Sequence, residues 1–327
     1  MVFMIIMSRT PFRLPLGGGS TDLPAYYQKF GGFIFGVAVN IYMDVFVRRP
    51  IIDDNIHFQY TRYEIVSSRD LLLHDLGREA LALAGIDNNI DVVFKAETPA
   101  GTGLGSSGSC AVGLLHALYA FKGRKMTQAD LAEQSFQITQ RLNWPDGKQD
   151  PYLAALGGFT VLEISQDGAV HVSHPPIQAD TINKFLRQTL IFYTGIRRRS
   201  FPILLEQSRE RALELKHRTK DIGKQILAAF TRGNLDDFGR LLNEHWQVKK
   251  GMSDKISSEA FDEIYDLALQ NGALGGKILG AGGGGYFMFY CRGEAAPQLV
   301  RVLAERGLRH IPFDIDYQGT RVNSITI

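Results

Sequence analysis

The first hundred residues carry short apolar runs rich in Val, Ile, Phe and Tyr. They fall at Val2–Met7, Gly32–Asn40, Tyr42–Arg48, His57–Tyr60 and Asp91–Lys95, and they predict strands. Leu71–Ala84 reads as a helix ahead of the last of these. The stretch Pro99–Ser109 then runs into Cys110–Phe121, an apolar segment of helical length that stops at Gly123. Thr127–Leu142 is helical, with Thr127 as N-cap and Asp130 three residues on. Gly157–Ile164 and Val170–Ser173 predict an antiparallel pair around Asp167-Gly168, a type I′ turn signal.

After His174-Pro175-Pro176 the texture changes. A strand, Thr189–Tyr193, leads into helical sequence from Pro202 to about Leu269, with breaks near Gly223, Gly233 and Gly251. A strand at Tyr286–Cys291, a helix at Ala295–Glu305 and a closing strand near Ile311–Asp316 follow. The change of texture places a domain boundary near residue 180, giving domains 1–180 and 181–327. A length of 327 residues fits two domains.

Composition narrows the function. Thirty-six basic against 34 acidic residues leave a net charge of +2, which argues against nucleic acid or a membrane surface as the main partner. No apolar run approaches the roughly 18 residues of a spanning helix, and Val2–Met7 lacks the basic flank and length of a signal peptide. Cys110 and Cys291 make neither a disulfide framework nor a cysteine-rich metal site, so a reducing cytoplasm is expected. No low-complexity tract or internal repeat is evident. Glycine stands out: 34 residues, about 10% against a usual 7%.

Three segments hold the informative glycines. Pro11–Asp22 contains Gly17-Gly18-Gly19-Ser20-Thr21-Asp22, where bare backbone can approach a ligand and Asp22 can accept two hydrogen bonds from sugar hydroxyls. A tight loop with Asp22 capping the next helix is the plainer reading. Pro99–Ser109, with Gly101, Gly103, Leu104, Gly105, Ser106, Ser107, Gly108 and Ser109, sits between a strand and a helix. In that setting loop amides and the helix dipole converge on a phosphate, and serine hydroxyls reach phosphate oxygens or Mg²⁺. It is not a Walker A loop, which needs Lys where Ser109 stands. It is not a dinucleotide loop either, since Gly101-x-Gly103 is followed by Ser106. Lys277–Tyr286 carries four consecutive glycines before a strand, which a fold keeps where only backbone fits. Asp237-Phe238-Gly239 spells a protein-kinase motif but lies in helical sequence without its catalytic loop, so Phe238 is expected in the core. No histidine cluster suggests zinc, and His245-Trp246 reads as helix packing.

Together the three segments resemble the GHMP kinases. The family's P-x-G-x-G-L-G-S-S motif is matched from Pro99 to Ser107, and its third, Gly-rich motif resembles Leu279–Gly285. Within the family the likeness is greatest to the D-glycero-D-manno-heptose 7-phosphate kinases. It rests on Arg13–Asp22, on Gly147-Lys148-Gln149-Asp150-Pro151-Tyr152 and on Ala154-Ala155-Leu156-Gly157-Gly158-Phe159. Galactokinases tend to have Glu and His where Gly19 and Ser20 stand.

The resemblance implies an α+β, two-domain GHMP kinase fold: a mixed sheet-and-helix N-terminal domain and a ferredoxin-like C-terminal domain with extra helices. It implies ATP and Mg²⁺ as cofactors and phosphoryl transfer to the anomeric hydroxyl of a sugar or sugar phosphate. By similarity Asp150 is the general base, and Lys148 neutralises developing charge; on a strand the two would share a face. Gly101 to Ser109 would hold ATP phosphates, with Ser107 on the metal. Gln140 stands where a second metal ligand, Glu, is expected, and Glu133 is left unassigned. Arg13, Gly18, Gly19, Ser20, Thr21, Asp22, Gly282 and Gly283 would bind substrate, and Arg197 and Arg199 of the Arg197–Arg199 run would dock its phosphate. Small-molecule partners and a monomer or homodimer are expected. The rivals are another sugar kinase of the family, of galactose or fucose type, and a non-catalytic nucleotide or sugar sensor.

Overall fold

The early strands extend well beyond their apolar cores. In the computed structural model, which describes residues 4–197, 202–203, 206 and 212–326, β1 (Met4–Gly17) pairs antiparallel with β2 (Gly32–Arg48), Ile6 opposite Val47 and Leu14 opposite Val37. Two strands were expected where β2 is one. The register shifts between Pro11 and Phe12, leaving Asn40 and Ile41 as extra residues on β2. Pro11 has no amide to give the ladder, so the alternation changes phase there while the pairing continues.

Between these strands lies α1 (Pro24–Phe30), with proline in its first turn. Then come β3 (Ile56–Gln59), β4 (Tyr63–Val66), α2 (Asp75–Ala84) and β5 (Ile90–Ala96). Helix α2 is four residues shorter than expected, because His74 caps it by accepting the Gly77 amide. α3 (Ser106–Phe121), α4 (Gln128–Arg141) and α5 (Gln149–Leu156) follow, with Thr127 capping α4 as predicted by accepting the Asp130 amide at 3.1 Å. β6 (Phe159–Ile164) and β7 (Val170–Ser173) form the expected pair. The turn differs in type: Gly168 has φ +89° while Asp167 keeps a negative φ, so only one residue is left-handed. The first sheet runs β12-β1-β2-β5-β3-β4, with β6 on β2 and β7 on β6. Here β12 (Arg321–Thr326) is the end of the chain, and only β3 and β5 run parallel.

The second sheet belongs to the later sequence. α6 (Ala179–Gln188) was unforeseen and carries residue 180 in its first turn. β8 (Thr189–Tyr193) precedes α7 (Leu213–Thr231), α8 (Leu235–Lys250) and α9 (Glu259–Gln270). β9 (Ala273–Ile278), β10 (Tyr286–Cys291), α10 (Ala296–Glu305) and β11 (Arg309–Ile311) complete it. The antiparallel order β11-β8-β10-β9 is the 4-1-3-2 arrangement of a ferredoxin-like unit, with α7, α8 and α9 where one helix would suffice. The closing strand expected near Ile311–Asp316 is not formed: only Ile311 belongs to a strand, β11, Ile315 makes a single bridge to Val39, and the last strand, β12, lies further on in the first sheet.

Gly233 and Gly251 end helices as expected, but Gly223 lies unbroken within α7. Its role is close approach: a Cβ on Gly17 would meet Gly223 Cα at 2.6 Å, so α7 crosses β1 on bare backbone. Phe238 is fully buried, packed on Phe230 and Tyr290, and Trp246 is in the core. Among the described residues no helix is long and apolar enough to cross a membrane.

Candidate active site

Helix α3 starts four residues earlier than its apolar run, so Ser106–Ser109 form its first turn. Gly105 precedes it at φ +80°, with Gly101 at φ +79° and Gly103 at φ +87°. These left-handed turns suit glycine alone and curl the loop over the helix end. No side chain caps α3, so its first amides stay available to an anion. Ser106 and Ser107 line a cavity of about 1040 Å³, and their hydroxyls bond no protein group among the described residues. Ser109 instead donates to the Pro11 carbonyl at 2.9 Å, and buried Leu104 accepts the Arg13 amide at 3.2 Å; both brace the loop.

The third glycine segment is the loop's scaffold. A Cβ on Gly103 would lie 2.4 Å from the Leu279 carbonyl oxygen, and one on Gly285 only 2.0 Å from that of Thr102. The Tyr286 amide donates to the Thr102 carbonyl at 3.1 Å. Gly280 and Ala281 reach the cavity. Gly282 and Gly283, expected at substrate, pack on Ile256 instead: the Gly283 amide donates to its carbonyl at 2.8 Å.

Asp150 lies in the first turn of α5, against Gly108. Arg13, 2% exposed, reaches Asp150 Oδ1 with Nε at 2.9 Å and Nη2 at 2.7 Å, and donates from Nη1 to the Gly103 carbonyl at 2.7 Å. One guanidinium therefore ties the carboxylate to the phosphate loop. Gln149, which lines the cavity, adds a bond from Nε2 to the same oxygen at 3.0 Å, while its Oε1 is buried with no hydrogen-bond partner.

Lys148 does not share a face with Asp150. The segment is a helix start, not a strand, so the two side chains diverge. Lys148 points into the core, pairs with Glu133 Oε2 at 2.5 Å and lies 4.4 Å from the Phe136 ring centroid. Tyr152 donates to the same Glu133 oxygen at 2.7 Å. This engages the unassigned Glu133. Gln140 donates to the Asp146 carbonyl at 3.1 Å. Among the described residues no group of three His, Cys, Asp or Glu side chains could hold a metal.

Asp22 does not cap α1, whose N-cap is Leu23. Its Oδ2 instead accepts the Gln149 amide at 2.9 Å at the start of α5, which also requires glycine at 147. Burial pushes its carboxyl up to about 6, with Asp150 adding to the rise. Asp146, missed in the sequence, also lines the cavity; burial, then Asp150 and Asp22, push it up to about 7. Gly19 and Ser20 line the cavity, Ser20 at φ +71°. Gly18 and Thr21 do not: a Cβ on Gly18 would overlap the Phe33 carbonyl oxygen at 1.9 Å, and the Thr21 hydroxyl donates to Gly18 and Phe33 carbonyls.

At one end of the cavity Tyr60, His74 and Phe94 form an aromatic wall, with Tyr60 and His74 ring centroids 4.5 Å apart. Exposed Arg197 donates to the Ala100 carbonyl at 3.3 Å, beside the phosphate loop; Arg198 and Arg199 lie outside the described residues. His245, Lys249 and Lys277 also line the cavity. His245 was expected in helix packing with Trp246 and Lys277 only as the start of the third glycine segment, and Lys249 stands out only by its one-turn spacing from His245.

Residues 70–158 match the GHMP kinases N terminal domain, and residues 226–308 match the GHMP kinases C terminal family. The chain is 27% identical over 319 residues to a Campylobacter jejuni protein named D-glycero-alpha-D-manno-heptose 7-phosphate kinase, covering 91% of this chain and 93% of that one. It is 28% identical over 344 residues to a Bacteroides fragilis L-fucokinase/L-fucose-1-P guanylyltransferase, covering 92% of this chain and 36% of that longer protein. A crystal structure described as a D-glycero-D-manno-heptose 1-phosphate kinase from Bacteroides thetaiotaomicron superposes with a TM-score of 0.81 at 24% identity, over 98% of this chain and 99% of that one. That likeness shows a shared fold.

Proposed function

The chain belongs to the GHMP kinases and is a phosphotransferase, and on that premise we propose that it transfers the terminal phosphoryl group of ATP to the anomeric hydroxyl of D-glycero-D-manno-heptose 7-phosphate. The product would be the 1,7-bisphosphate. The observation that carries the chemistry is the Arg13–Asp150 pair, bonded on one side to the phosphate loop and open on the other to the cavity. The substrate assignment leans on the likeness to the Campylobacter jejuni protein.

In this reading the amides from Gly101 to Ser109 hold the ATP phosphates at the mouth of α3, and the aromatic wall receives the purine. Asp150 takes the proton of the anomeric hydroxyl as its oxygen attacks the terminal phosphorus; the bond to the ADP oxygen breaks and ADP leaves. Arg13 fixes the carboxylate and faces the charge spreading on the transferred group. Gln149 Oε1, orphaned and buried, accepts a bond from an acceptor hydroxyl. Asp22, Asp146, Gly19 and Ser20 line the acceptor space. Lys148 acts on α5 through Glu133 and does not touch substrate.

Magnesium fits as the partner of ATP. Ser107 offers one unengaged hydroxyl and, among the described residues, no carboxylate cage surrounds it, which suits an ion that keeps waters and phosphate oxygens. It would neutralise phosphate charge. The chain is read as dividing near residue 180, with β12 returning from the later sequence to the first sheet, and one chain makes one site, as in a monomer or a homodimer acting in the cytoplasm. A panel of heptose 7-phosphate, galactose, fucose and mevalonate, read by ADP release, tests it. Turnover of a different acceptor alone overturns the substrate, and ATP binding without turnover on any overturns the activity.

A further inference from the structure

Lys277, on β9, is 2% exposed and donates to the Leu16 carbonyl at 3.1 Å. Among the described residues no carboxylate pairs with it. His245, on α8, is 3% exposed, lines the cavity, and has no hydrogen-bond partner for either ring nitrogen. Lys249 follows one turn later on the same helix face and donates to the Ile278 and Gly280 carbonyls. Arg13 lies within electrostatic reach of Lys277, as does Lys249. Two lysines and an unsatisfied imidazole thus converge on one wall, formed by the second sheet and its helix, with Arg13 of β1 beside it.

Burying the Lys277 ammonium with no carboxylate beside it among the described residues is costly, and a histidine with two idle nitrogens in the same place adds to the cost. The cost registers in the groups themselves. Burial, with Lys249 and Arg13 beside it, holds the Lys277 ammonium well below its ordinary range, and burial with the two lysines does the same to His245. A phosphate monoester meets every one of these demands at once, with two negative charges and three acceptor oxygens. In the reading above, ATP's own phosphates take the loop and first turn of α3, which Arg13 touches through the Gly103 carbonyl. Arg197, expected to dock the acceptor's phosphate, also lines the cavity, exposed and bonded to the Ala100 carbonyl.

We propose that Lys277, Lys249 and His245 bind the phosphate that the acceptor carries away from its reacting hydroxyl. The inference rests on the sugar-phosphate kinase reading above, and it moves phosphate recognition from the arginine run to this buried wall.

Two variants test it, Lys277→Met and His245→Gln, each near in length to the native side chain. With MgATP saturating, both are expected to raise KM for heptose 7-phosphate roughly 10- to 100-fold, the range for a lost bond to a charged group. KM for the unphosphorylated heptose and for ATP should stay within about threefold. Equal rises for both sugars, or a rise in the KM of ATP, overturn the proposal. A second arm needs no turnover. With a non-hydrolysable ATP analogue filling the loop, inorganic phosphate should raise the unfolding temperature of the wild type and of neither variant. Absent protection in the wild type overturns the subsite even if the sugar turns over. Protection that is lost in the variants, with no turnover of any sugar phosphate, upholds the subsite and overturns the substrate reading. If one variant fails to fold, the other decides.

Discussion

Replacing Asp150 with Asn separates the chemistry from the architecture. The amide keeps an oxygen for Arg13, now 2.7 and 2.9 Å from Oδ1, but loses the charge and the ability to take a proton. Breaking a fully buried ion pair costs about 3–5 kcal/mol. Here Asp150 is 28% exposed, so water screens the change, and the bond itself survives. The structural loss then comes to about 1–2 kcal/mol, the difference between charged and neutral hydrogen bonds. For a protein of this size that lowers Tm by a few degrees, at about 2–4 °C per kcal/mol. Removing a general base lowers kcat by about 10²–10⁴, equal to about 3–5.5 kcal/mol of barrier. The two effects differ enough to be read apart. Differential scanning fluorimetry gives Tm, a coupled ADP assay gives kcat, and titration with an ATP analogue gives nucleotide affinity, expected within a few-fold of wild type. An Asp150→Asn enzyme with kcat within threefold of wild type refutes the role of base. A Tm loss of tens of degrees refutes the estimate that the amide preserves the Arg13 contact.

Three further outcomes follow from the same geometry. Asp22 has a carboxyl raised from 3.8 to about 6 by burial, so the folded state binds more protons than the unfolded one between those values, and its contribution falls as pH rises from about 4 to 6. Asp22→Asn should therefore gain up to about 3 kcal/mol relative to wild type across that window and hold the gain above it; a pH-independent difference in urea midpoints contradicts this. Gly103→Ala should lower Tm and raise the KM of ATP, because a Cβ would lie 2.4 Å from the Leu279 carbonyl; Gly85→Ala, at φ +68° in open space, should cost only about 1–2 kcal/mol and leave KM alone. Equal effects would refute the clash. Lys148→Met should lower Tm by breaking the Glu133 pair while kcat falls less than about tenfold; a hundredfold loss at unchanged Tm would return Lys148 to the chemistry.

Much of the fold was legible because it was local. Thr127 with Asp130 marked a helix start by capping chemistry alone, and the glycine-serine run from Gly101 to Ser109 marked a loop running into a helix. The same local signals misled where tertiary contact decided. Gly223 looked like a break, but α7 needs it to cross Gly17. Helix α5 spans eight residues with Pro151 in its first turn, too short for periodicity to separate from a strand, on which Lys148 and Asp150 would have shared a face. Gly282 and Gly283 carry the look of a ligand loop but serve as packing against Ile256. His245 and Lys277 lie far apart in the chain, and only the arrangement of α8 against β9 makes them neighbours of one cavity. Asp146 gave no warning because a lone carboxylate has no period; its raised pKa comes entirely from folded surroundings.

The position of the new phosphate tests the account most directly. The protein, incubated with MgATP and D-glycero-D-manno-heptose 7-phosphate, should yield ADP and a sugar with a second phosphorus resonance coupled to the anomeric proton in NMR, and the Asp150→Asn protein should not. A phosphate found on any other carbon, or the same product formed at the same rate without the carboxylate, contradicts it.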